Sequence, residues 1–109
     1  MTPEGKIKRM LDAELKRLGV WYFCPQAGPY GSRGIPDRVV IVRGLFVGIE
    51  CKASPTHKPT ALQAKCMKDI ESAGGMCFLV YDRATVDNAA YNIELIMLNG
   101  WKSEQSNAV

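Results

Sequence analysis

No apolar run in this 109-residue chain is longer than a strand. The longest, such as 39–42 and 76–81, fall far short of the roughly 20 residues that a membrane-crossing helix needs. Nor does the N-terminus carry charged residues followed by an apolar leader; it opens Thr2-Pro3-Glu4, so neither secretion nor membrane insertion is expected and a cytoplasmic setting is. Close cysteine pairs are also missing. Cys24, Cys51, Cys66 and Cys77 lie far apart with a single histidine, His57, to help them, which argues against a zinc knuckle, a redox motif and a disulfide framework. Reduced core cysteines are expected instead, and His57, in a polar loop, is expected at the surface. There is no internal repeat, low-complexity tract or linker, and 109 residues suit one buried core. A single domain over 1–109 is expected, with 102–109 as a polar tail. The net charge of +3 permits a nucleic-acid partner without requiring one.

What is present is a regular succession of elements. Thr2 and Pro3 suit an N-cap and first helical position, and Ile7, Met10, Leu11, Leu15 and Leu18 recur at helical spacing until Gly19. Residues 20–24 are β-branched and aromatic, hence a strand. The proline- and glycine-rich stretch 25–36 is a long loop delivering the chain to Asp37. Residues 38–42, the pair Arg43-Gly44 and residues 45–52 read as a hairpin with a tight turn. Thr60 and Gln63 make a capping box for a helix lined by Leu62, Cys66, Ile70 and Ala73 and ended by Gly74-Gly75. Residues 76–81 are a buried strand. Thr85 is the candidate cap of a last helix to about Leu98, although 93–98 would also suit a strand. The order α-β-β-β-α-β-α predicts an α/β fold.

The hairpin carries the sharpest inference. With Arg43 and Gly44 as the turn, Val42 faces Leu45, and counting outward places Asp37 opposite Glu50, with Lys52 on the same face. Two like charges in that position call for a cation. Their hard oxygens suit Mg²⁺ or Mn²⁺, which keep several waters and accept a phosphate oxygen, and Lys52 adds a mobile cationic donor. An arbitrary Glu-x-Lys is more often a salt bridge ending a strand. Here Glu50 closes an apolar strand, where its charge would be partly buried, and it arrives in register with Pro36-Asp37.

Glu14 falls within the apolar stripe of the first helix, four residues after Met10 and four before Leu18. It is either a further ligand, directly or through water, or a carboxylate that reaches the rim or pairs with a structural Lys or Arg. Gln63 is explained by its capping role, yet its amide could reach the same site. Arg33, Arg38, Lys58 and Tyr30 are candidates for contacts to DNA phosphates, sugars or bases, each with an ordinary surface role as the alternative. The basic residues of the first helix fall mostly on its polar side, where solvation is the default.

Gly34-Ile35-Pro36-Asp37, a short hairpin and Gly48-Ile49-Glu50-Cys51-Lys52 resemble the PD-(D/E)xK nuclease signature. With Trp21-Tyr22-Phe23-Cys24-Pro25, Pro29-Tyr30-Gly31 and Pro59-Thr60-Ala61-Leu62-Gln63, the chain resembles more narrowly the VRR-NUC branch, the virus-type replication-repair nucleases, from the first helix to about Asp82. The resemblance implies a restriction-endonuclease-like core, a mixed sheet flanked by helices, and phosphodiester cleavage dependent on Mg²⁺ or Mn²⁺ without a small-molecule cofactor. It implies Asp37, Glu50 and the Cys51 backbone carbonyl as metal ligands, Lys52 as the catalytic lysine, and Glu14 and Gln63 as the acidic and amide residues of the flanking helices. Cys51 departs from the aliphatic residue usual at its place and is expected to point into the core. Stand-alone members, often phage-encoded, resemble four-way (Holliday) junction resolvases acting as dimers. A flap or general repair nuclease, and a DNA-binding module that does not cut, are the alternatives.

Overall fold

The computed structural model describes residues 1–26 and 34–101. Helix α1 (Pro3–Leu18) starts where Thr2 Oγ1 accepts the Gly5 N–H at 3.0 Å, with proline in the first turn, where no N–H is needed. It stops at Gly19, which is left-handed at φ 70° and returns its N–H to the carbonyls of Leu15 and Lys16. Strands β1 (Trp21–Phe23), β2 (Arg38–Val42) and β3 (Leu45–Cys51) follow, then α2 (Ala61–Ser72), β4 (Met76–Val80) and α3 (Arg83–Asn99). The fold is α/β with the expected order of elements. No helix among the described residues is long and apolar enough to cross a membrane.

The four strands form one mixed sheet in the order β1-β2-β3-β4, antiparallel except for the parallel pair β3 and β4. The β2-β3 hairpin has the register the turn chemistry demands. Arg43 and Gly44 take positive φ angles of 52° and 82°, as the twist-matched two-residue turn requires, and Val42 pairs with Leu45.

The sheet's faces are covered unequally. On one face Val40, Val42, Leu45, Val47, Ile49 and Cys51 pack under Ile7, Leu11 and Leu15 of α1 and Val86, Ala89, Ile93 and Ile96 of α3. A fully buried Leu, Ile or Val contributes about 1.5–3 kcal/mol, so this layer dominates stability. The other face carries α2, none of whose residues is buried; Leu62, expected on its apolar face, is half exposed. This helix is held by its termini and by close backbone approach. Thr60 and Gln63 form the complete capping box, and Gly75 lies so close to Ile70 and the Phe46 carbonyl that a Cβ would collide with both.

Two expectations need correction, the cap of the last helix and the burial of Cys24, and the choice left open over 93–98 falls to the helix. The cap of α3 is Asp82, whose carboxylate accepts the Thr85 N–H at 2.8 Å; Thr85 is the reciprocal partner three residues in. An anionic acceptor suits the positive end of a helix better than a hydroxyl further along it. Residues 93–98 are helical, because Ile93 and Ile96 recur at helical spacing toward the core. Cys24 is exposed at the end of β1, whereas Cys51 is buried. All four thiols are free, and burial pushes those of Cys51 and Cys77 up to about 12 and about 11, so neither is a ready thiolate.

Candidate active site

Two glycines set the path of the chain into Asp37. Gly34 is left-handed at φ 78° and lies against the first turn of α2, where any Cβ would fall on the Leu62 carbonyl. Pro36 is buried over Gly48, where a Cβ would meet the proline ring at 2.8 Å. The β2-β3 ladder begins at Arg38 and Ile49, so Asp37 and Glu50 are the next residues outward, facing one another. Asp37 Oδ2 accepts the Cys51 N–H at 2.9 Å, which carries the strand contact one residue past the regular ladder.

Glu50 is the single buried charged residue among those described, 2% exposed, and its Oε2 has no hydrogen-bond partner. A buried acceptor left unsatisfied is costly, more so when ionised. Burial, and after it the hydrogen bond and charge of Asp37, push the Glu50 carboxyl up to about 8, against the opposing pull of Lys52. For Asp37 burial also works upward, but the hydrogen bonds with Glu50 and the Cys51 N–H and the charges of Lys8 and Arg38 outweigh it and hold the group below its ordinary value. Two carboxylates can hydrogen-bond only through a shared proton. The two groups titrate as a pair, in which Glu50 is the one pushed toward keeping the proton and Asp37 the one pushed toward carrying the charge.

Lys52 leaves the end of β3 on the Glu50 side of the sheet. Its Nζ donates to Gln63 Oε1 at 2.8 Å, and the same oxygen accepts the Thr60 N–H at 2.9 Å. The capping role and the site role of Gln63 are thus one arrangement: the cap fixes the amide, and the amide aims the ammonium.

From α1 a different residue arrives than the sequence suggests. Glu14 pairs with Arg17 at 3.0 Å and approaches Arg83 of α3 at 4.0 Å, the partnership with structural arginines that is its alternative role. Lys8 reaches Asp37 at 3.6 Å and also Glu4 at 3.3 Å. The cause is helical rotation. Lys8 and Asp12, four residues apart, share the side of α1 that meets the consecutive residues Asp37 and Arg38, while Glu14 is about 200° round from Asp12. That spacing is readable in the sequence, but not the strand it meets.

Arg38 is committed to the fold. Its guanidinium grips Asp12 with Nε and Nη2 at 2.7 and 3.0 Å and donates from Nη1 to the Asp37 carbonyl at 2.8 Å. It anchors the Asp37 backbone to α1 instead of presenting a free cation to DNA. Lys58 is exposed in the loop before α2, and His57 is exposed and hydrogen-bonded to Ser54 at 2.7 Å. Tyr30, Arg33 and the tail 102–109 lie outside the described residues.

Among the described residues no group of three His, Cys, Asp or Glu side chains is gathered as a metal centre. The fit of a hard divalent ion rests on Asp37 and Glu50. Mg²⁺ and Mn²⁺ need few protein carboxylates because they retain water, and the unpartnered Glu50 Oε2 beside Asp37 is a hard oxygen donor of the kind such ions take. The cavity bounded by Met76, Leu95, Ile96 and Trp101 is at the far end of β4 from Glu50 and is no part of the carboxylate site. Comparison of the chain with protein-family models and with curated proteins gave no match.

Proposed function

We propose that the chain is a metal-dependent DNA nuclease of the VRR-NUC type, hydrolysing phosphodiester bonds with Mg²⁺ or Mn²⁺ at Asp37 and Glu50. The observation that carries this reading is the buried, partnerless carboxylate oxygen of Glu50, packed against Asp37 and approached on the same face by Lys52. A structural salt bridge would satisfy that oxygen, whereas here Lys52 is turned toward Gln63.

Asp37 and Glu50 hold the ion, with the Cys51 carbonyl as the third protein oxygen that the resemblance implies. The bound ion would supply charge stabilisation at the phosphate and a more acidic water. Gln63 keeps the Lys52 ammonium extended toward the phosphate, where it neutralises developing charge. Lys8 neutralises Asp37 when no cation is present, and it is the group a cation must compete with.

The finer reading is a homodimeric resolvase of four-way junctions. One chain carries one catalytic set, and symmetric nicking of two strands needs two sets held by a two-fold axis. The test is a cleavage panel of four-way junction, flap, nicked and linear duplex DNA, with light scattering of the free protein. Cleavage is expected with Mg²⁺ or Mn²⁺ and none in excess EDTA, the junction being cut fastest by a protein of twice the chain mass. Undiminished cutting in EDTA would overturn the metal site. A monomer without junction preference would leave a flap or general nuclease, and DNA binding without any cutting would leave a binding module.

A further inference from the structure

Among the described residues, the sheet face that carries Glu50 is only half covered. Helix α2 lies over β3 and β4, and on the β1-β2 side Trp21, Ile41 and Phe46 are neighbours in register, 62%, 37% and 38% exposed, with Phe23 beside them at 44%. Four large apolar side chains left in one row and its neighbour form a patch of the kind that marks a binding surface.

We propose that Trp21 and Phe23 are a stacking platform for unpaired bases of the DNA strand that enters the active site. This deepens the nuclease reading and rests on it. Position is the first argument. The row Phe23-Val39-Gly48 is adjacent to the row Asp37-Glu50 on the same face, roughly 7 Å further along the strands, so a strand whose phosphate lies at the carboxylates passes its neighbouring bases over Phe23 and then Trp21. Shape is the second. The two rings project from the same side of one strand, with centroids 5.6 Å apart and planes inclined at 56°, so they are splayed and do not cover one another face to face. Charge is the third. The face residues Trp21, Phe23, Val39, Ile41, Phe46 and Gly48 are all uncharged, whereas Lys52 and Lys58 lie beyond its Glu50 end, toward α2. Bases meet the sheet and the backbone meets cations at that border, the division of labour of single-strand binding surfaces. Bases within a duplex are already stacked on one another and gain nothing from such a platform. The substrate class is therefore DNA with unpaired nucleotides beside the scissile bond, which within the nuclease reading favours the flap alternative over the fully paired four-way junction.

The experiment uses the full chain with Trp101→Phe, which leaves Trp21 as its one tryptophan, titrated in EDTA with oligothymidylate or blunt duplex while fluorescence is followed. Expected are quenching by the single strand at concentrations that leave the duplex without effect, and a roughly 5- to 100-fold loss of single-strand affinity in Phe23→Ala. The solution mass should be the same with and without Phe23→Ala. Absence of quenching, or an equal response to blunt duplex, overturns the platform. So does a Phe23→Ala protein of half the original mass, which would assign the face to a second copy of the chain. The parent reading fails separately: quenching by single strands without any cutting in Mg²⁺ or Mn²⁺ keeps the platform and removes the nuclease, and cutting without quenching does the reverse.

Discussion

Glu50→Gln and Lys52→Ala will each lower DNA cleavage by ~10²-fold or more while leaving the fold and DNA affinity nearly unchanged. Loss of a group that acts on the transition state costs roughly 10²–10³-fold, about 3–4 kcal/mol. Glutamine keeps the volume of a residue that is 2% exposed, so the cavity that an alanine would leave does not confuse the result. Lys52 is half-buried and its described polar partner is Gln63, so its loss releases one hydrogen bond at the rim. Gln63→Ala should cost ~10-fold in the wild-type background and almost nothing beside Lys52→Ala, because the amide acts through the ammonium. Single-turnover cleavage with saturating Mg²⁺, alongside circular dichroism and binding in EDTA, separates these effects. Wild-type rates in either primary variant would remove the residue from the active site.

Features that depend on residues close together in the chain are legible in the sequence. A two-residue turn that tolerates positive φ fixes its hairpin register, and from Arg43-Gly44 the opposition of Asp37 and Glu50 follows by counting. Both termini of α1 and the capping box of α2 are likewise local chemistry. Features that depend on the relative orientation of elements are not legible in this way. A helical stripe says which residues face inward but not which strand they meet, so the sequence points to Glu14 and passes over Lys8, although one rotation of α1 decides both. Arg38 does not announce itself as structural because its partner, Asp12, is 26 residues away. The apolar spacing of α2 suggests a buried face, but the sheet beneath it offers Gly48 and a proline ring, and the helix stays at the surface. The unpartnered oxygen of Glu50, which weighs most in the functional reading, is a property of packing that no spacing encodes.

In metal-free solution the protein will become less stable as pH rises from about 5 to 8, and Mg²⁺ will reverse most of that loss. The Glu50 carboxyl is raised from 4.5 to about 8, chiefly by burial and then by Asp37. In that interval the unfolded chain has released the proton that the folded chain still binds. A group raised in this way contributes stability that is fully present below the unfolded value and is lost as pH climbs through the folded one. Asp37 has the opposite sign, being lowered in the fold, so its contribution is lost only in acid, below its ordinary value of 3.8, and does not overlap this window. One pKa unit corresponds to about 1.4 kcal/mol, which makes the loss on the order of a few kcal/mol and the fall in Tm ~10 °C for a domain of this size. Glu50→Gln keeps a neutral hydrogen-bonding amide in place of the protonated carboxyl. It should therefore flatten the pH profile, exceed the wild type in Tm at pH 8 without metal, and lose the stabilisation by Mg²⁺. Thermal melts of both proteins at pH 5, 6, 7 and 8, in EDTA and in Mg²⁺, provide the comparison. If the two profiles run parallel, or if Mg²⁺ raises both Tm values equally at pH 8, Glu50 is neither the titrating group nor the ligand.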